Sequence, residues 1–225
     1  MKNAKKILAL LMCAVLLVGA SIAGTVAYLT DKDDVTNTFT VGKVNIKLDE
    51  AVLDKETGKA TADPRTEEGN TGMLLIPGRT IDKDPTVTVL ADSEACYVRA
   101  KVYVANLDNL KTALPGDEYY LGDVFLLQNL CVDAEGKSTW DGATWEMKTF
   151  DPATNTYEFW YKDKVAKAGT DTKLPALFSA FTVPGEDITS ENINQLAGVQ
   201  IIVTAEAIPA EGFADAAAAW AAFSA

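Results

Sequence analysis

From Phe39 onward, apolar and polar residues alternate with a period of two, the spacing of half-buried β-strands. In "TFTVGKVNIKLDE" the apolar residues Phe39 and Val41 are odd-numbered, whereas Val44, Ile46 and Leu48 are even. One inserted residue at a glycine switches the face in this way, which predicts a β-bulge at Gly42 or Lys43. Val87, Val89 and Ala91 alternate with threonines. Cys96, Val98, Ala100, Val102 and Val104 share one face of a strand whose other face carries Tyr97, Arg99, Lys101 and Tyr103. Further strands are expected over 124–132, 144–149, 156–161, 176–183 and 199–208. Turn-forming pairs separate the runs, among them Pro77-Gly78, Pro115-Gly116, Asp141-Gly142 and Pro184-Gly185.

Three segments depart from the strand pattern. Residues 54–72, "DKETGKATADPRTEEGNTG", are polar without an apolar period and read as an exposed loop. A short helical connection is expected over 190–196, capped by Thr189 or Ser190. In "GFADAAAAWAAFSA", Phe213, Ala216, Ala217, Trp220 and Phe223 recur at helical spacing after a capping Asp215, which predicts a C-terminal helix docked on the body. Together these elements describe an all-β, antiparallel jelly-roll sandwich with a short C-terminal helix and one or two small helical connections. No internal repeat is visible.

The first residues read differently: the positive MKNAKK, then an apolar run, then small residues at Thr25 and Ala27. That is the order of a signal peptide over 1–27, cut between Ala27 and Tyr28. Ser21 and Ala23 offer a second cut before Gly24, and 7–29 is also long enough to remain as a membrane anchor. With cleavage, the chain becomes one domain over 28–225 that begins with an arm, 28–41.

Charge narrows the partners. When the three lysines of the leader are taken from the 20 basic residues, 17 remain against 32 acidic ones, a formal charge of −15. So acidic a body repels nucleic acid and anionic membrane, leaving the leader as the only membrane element.

The chain has no histidine, which excludes HExxH zinc sites and every Ser-His-Asp or Cys-His arrangement. The acidic groups Asp31, Asp33, Asp34 and Asp82, Asp84 offer carboxylates to a hard cation, but neither has calcium-loop spacing. No cofactor or enzymatic activity is expected. Cys96 and Cys131 read equally as a disulfide or as two buried thiols. Tyr97, Tyr103 and Trp160 lie on outer strand faces, either as a ligand platform or beneath a loop or the terminal helix.

Three stretches carry a family resemblance: "GTVAYLTDKDDVTNTFTVGKVNIKLDE" (24–50), "IPGRTIDKDPTVTVLADSEACYVRAKV" (76–102) and "VTAEAIPAEGFADAAAAWAAF" (203–223). The chain resembles the TasA and camelysin group of exported proteins, whose leaders are removed by SipW-type signal peptidases. The middle, about 105–195, is similar in strand pattern only. The resemblance implies a jelly roll, export to the cell surface or biofilm matrix, and fibres built when one subunit lends an N-terminal strand to the next. The donor here would be 28–41, with Tyr28, Leu29, Val35, Phe39 and Val41 as its apolar positions. The metalloprotease label attached to camelysins has no ligand set in this sequence. A secreted or anchored module that binds carbohydrate or protein is the alternative expectation.

Overall fold

The computed structural model describes residues 43–223, apart from 74, 115, 117, 118, 122, 123, 126, 187 and 190. The expected leader and cut site, the arm with Tyr28, Leu29, Val35, Phe39 and Val41, and the Asp31, Asp33, Asp34 cluster lie outside the described residues.

In chain order the strands are β1 (Ile46–Leu53), β2 (Ala60–Thr66), β3 (Thr80–Asp82), β4 (Thr86–Val89) and β5 (Cys96–Ala105). After helix α1 (Leu107–Ala113) come β6 (Tyr120–Leu121), β7 (Val124–Phe125), β8 (Trp145–Asp151), β9 (Thr156–Tyr161), β10 (Thr172–Lys173), β11 (Ala180–Thr182) and β12 (Gln200–Pro209). Helix α2 (Ala216–Phe223) closes the series, and 3-10 turns occupy Leu127–Asn129 and Ile193–Leu196.

All strand pairs are antiparallel. One sheet has the order β10-β4-β1-β2 and the other β12-β5-β9-β8, while β11-β3 and β6-β7 form small ladders. The chain changes sheet between β4 and β5, between β9 and β10, and again before β12, the winding of the expected jelly-roll sandwich.

The period-two pattern of β5 explains why the sheets stack. Val98, Val102 and Val104 are completely buried, in one core with Val87 and Val89 of β4 and Tyr157 and Phe159 of β9. Each such valine contributes on the order of 1.5–3 kcal/mol through burial. The Tyr157 hydroxyl, within the apolar core, accepts the Leu127 backbone N–H at 3.2 Å.

Several expectations are corrected. The face inversion near Gly42 does not occur at Lys43, which precedes β1; Gly42 lies outside the described residues. A separate irregularity lies within β1, where the register against β2 shifts between Ala51 and Leu53. Residues 54–72 are exposed over much of their length, yet they are not a structureless loop, because Ala60–Thr66 forms β2 and pairs with β1. Exposure on both faces removed the alternation that would have marked it. The strand expected over 124–132 is only β7, after which the chain turns so that Leu127 and Leu130 enter the core. Only Ala180–Thr182 of 176–183 is strand.

Helix α1 was not anticipated, although Leu107, Leu110 and Ala113 are at helical spacing and buried. The connection before β12 is the turn Ile193–Leu196, whose first N–H donates to the Thr189 carbonyl at 3.0 Å. Asp215 does cap α2, its Oδ1 accepting the Ala218 N–H at 2.8 Å. The docked side is Ala216, Ala219 and Trp220, however, whereas Phe213 and Phe223 are exposed. Cys96 and Cys131 are both buried free thiols, so the disulfide alternative is not the one adopted.

Candidate functional site

Two sheets with open ends have four outer strands, and their backbone donors and acceptors are the most reactive surface a β-protein has. β10 is two residues long and offers no ladder. β2 carries Pro64, which has no N–H to donate, and Arg65. That arginine is spent within the fold. Its Nε donates to Asp49 Oδ1 and its Nη1 to Asp84 Oδ2, both at 2.6 Å. Burial pushes the Asp49 carboxyl up, but the hydrogen bonds from Arg65 and Lys47 outweigh it and hold the group below its ordinary value. Asp84 Oδ1 accepts the Ala51 N–H at 2.7 Å and Asp82 pairs with Lys59 at 3.0 Å, so these two carboxylates are occupied within the sheet. Among the described residues, no group of three or more His, Cys, Asp or Glu side chains is placed to hold a metal ion.

The outer strands of the second sheet differ from each other. β8 exposes Glu146 and Lys148, which pair at 2.6 Å, and its register slips between Met147 and Thr149. β12 is ten residues long, regular throughout, and among the described residues paired only with β5. Its one charged side chain, Glu206, is bound by Arg99 at 2.5 Å and by Lys101 at 3.3 Å.

Alternation along β12 places Ile201, Val203, Ala205 and Ala207 on the core side, opposite Val104, Val102, Ala100 and Val98. These four are only half-buried, as are Val44, Ile46 and Leu48 at the start of β1, which runs beside β12 with Cα atoms within 8 Å. Along the flank between β1 and β12 the apolar core is thus only partly covered.

The outer face of the second sheet is closed at one end. Trp220 of α2 is 2% exposed and lies with its ring 4.1 Å from the Arg99 guanidinium carbon. Tyr97, Trp160 and Ile208 pack in the same small cluster, separate from the main core. Lys148 covers Trp160, with Nζ 5.0 Å from the ring centre. Of the three outward aromatics, Tyr97 and Trp160 thus lie under α2, and Tyr103 remains 41% exposed beside Ile202.

Chemistry of a catalytic kind is poorly served by these groups. Burial raises the Cys96 thiol to about 11, and Cys131 is pushed higher by the same cause, so neither is a thiolate at neutral pH. Among the described residues, no helix is long and apolar enough to cross a membrane.

The cut site Ala27 and Tyr28 and the expected donor positions fall outside the described residues; the regular outer strand β12, which sequence reasoning did not single out, is inside them. Its signal was the unbroken run "QIIVTAEAIP", ten residues with a single charge. Comparison with family models, curated proteins and solved structures finds no match.

Proposed function

We propose that this protein is a non-enzymatic, exported structural subunit of cell-surface or matrix fibres, assembled by donation of the N-terminal arm of one copy to the next. The observation that carries the reading is the β12 edge: long, regular, almost uncharged, and flanked by half-buried apolar side chains. Such an edge takes an added strand through backbone hydrogen bonds, and alternate side chains of that strand enter the apolar flank. In 28–41 the residues Phe39 and Val41 have the period of two that this requires, with Tyr28, Leu29 and Val35 further along.

The resemblance of three sequence segments to the TasA and camelysin group points the same way. So does the leader, whose removal by a signal peptidase would free the arm. The acidic surface favours a protein that stays dissolved until strand exchange joins its copies.

The experiment is direct. N-terminal sequencing of the exported protein is expected to begin at Tyr28, and that protein is expected to form filaments visible by electron microscopy. A protein lacking 28–41 is expected to remain monomeric in sedimentation. Equal polymerisation of both would remove strand donation from consideration. The binding-module alternative requires an open aromatic surface, and α2 and Lys148 cover two of its three aromatic positions.

A further inference from the structure

Away from that edge, three side chains meet around one carboxylate. Glu50 lies on β1 with its side chain 8% exposed, Lys83 lies between β3 and β4 at 18%, and Asn70 follows β2. Lys83 Nζ is 2.6 Å from Glu50 Oε2. The other oxygen, Oε1, accepts Asn70 Nδ2–H at 2.9 Å and the Asn70 backbone N–H at 3.0 Å. Asn70 Nδ2 also donates to the Ala51 carbonyl at 2.8 Å, and Asn70 Oδ1 accepts the Leu53 N–H at 2.8 Å. An ion pair alone explains the lysine. The Asn70 amide is fixed on the second oxygen by the β1 backbone at the register shift, its carbonyl held by the Leu53 N–H and its amino group by the Ala51 carbonyl.

We propose that Lys83 and Asn70 become joined by an intramolecular isopeptide bond, with Glu50 as the proton-transfer group. Glu50 touches both reacting groups, one through each carboxylate oxygen. Glu50 Oε2 takes a proton from the Lys83 ammonium, and the freed amine attacks Asn70 Cγ to form the new C–N bond. Charge developing on Asn70 Oδ1 meets the Leu53 N–H, already in place as an oxyanion donor. Glu50 returns its proton through Oε1 to Nδ2, the leaving nitrogen. As the Cγ–Nδ2 bond breaks, the attacking nitrogen loses its second proton, and the leaving group departs as ammonium. Lys83 ammonium and the Asn70 amide thus become a secondary amide and ammonium, Glu50 ends as it began, and no oxidant or cofactor is consumed. The carboxylate confines the reactants, so the entropic cost of bringing an amine to an amide is met by folding. The link would tie the connection after β2 to the one before β4, across Glu50 of β1.

Mass spectrometry of the unfolded mature protein tests this without any variant. The expected intact mass is below that of the sequence by one ammonia. The expected tryptic map contains a branched peptide joining the segments of Asn70 and Lys83, and no cleavage after Lys83. Glu50→Gln and Asn70→Ala are expected to show the full mass, and Glu50→Gln, which keeps the shape of the side chain, should remain folded by circular dichroism. Linear peptides with unmodified Lys83 and Asn70 from the folded wild-type protein would overturn the proposal. So would ammonia loss located as a succinimide at Asn70 without a branch, or a link that survives in Glu50→Gln.

Discussion

The outer strands of the second sheet, β12 and β8, are opposite solutions to one problem. Both have a free side in the described structure, and both border a sheet whose central strand, β5, is completely buried along its inner face. β8 has four consecutive exposed residues, a Glu146–Lys148 pair and a register slip, the usual means by which a protein blunts an edge. β12 has none of these, and its single carboxylate is neutralised by Arg99. Burial first pushes the Glu206 carboxyl up, but the Arg99 and Lys101 hydrogen bonds outweigh it and hold the group ionised below its ordinary range. A sheet that guards one edge and leaves the other regular is polarised.

The most severe way to break this contrast is to give β12 the guard that β8 has. Val203→Lys places a charge on the core side of the edge, at a half-buried position from which the side chain can reach solvent. Loss of filaments in electron microscopy is expected, with the monomer still folded by circular dichroism; undiminished filaments would acquit β12 as the acceptor.

Next in size is the closure of the outer face. Trp220→Ala removes nearly all of the helix's grip, for a cost of about 3 kcal/mol. Thermal unfolding should record it, and brief proteolysis should release the tail from the otherwise intact domain.

A smaller effect separates the edge at β2 from both others, because its guard depends on pH. The Asp49 carboxyl is held below its ordinary value in the folded state. Its contribution is therefore complete above the unfolded value of about 3.9 and is lost as pH falls through the lower folded one. Urea midpoints measured from pH 5 to pH 2 should fall, and Arg65→Ala should flatten that part of the profile.

The smallest expected change in stability comes from β8 itself. Glu146→Thr with Lys148→Val deletes an exposed ion pair worth about 0.5 kcal/mol, so melting should hardly move. Self-association should nevertheless rise in sedimentation, because a second edge has lost its charges.

How much of this was readable beforehand follows the burial pattern. β5 and β9, buried on one face and solvated on the other, alternate cleanly, and Thr156–Tyr161 was located to the residue. β2 was missed because both its faces are wet, and hydrophobic periodicity reports only contrast. The bulge expected at Gly42 or Lys43 falls at the border of the described residues, and a separate irregularity inside β1 had no such signal. The shift lies between Ala51 and Leu53, inside the continuous apolar run Ala51–Val52–Leu53, where no alternation marks it. The cluster of Glu50, Asn70 and Lys83 was invisible for another reason: its members come from β1 and two separate connections, and no local spacing links them. Helix α1 was legible in principle, from Leu107, Leu110 and Ala113, and was obscured by the strands on either side.

Helix α2, finally, governs more than its own docking. Lying across the outer surface of the second sheet, it denies that end a flat area on which another sheet could rest. Face-to-face stacking of another sheet is obstructed there. The eight helical residues thus set a limit on how closely another flat surface can approach that part of the sheet.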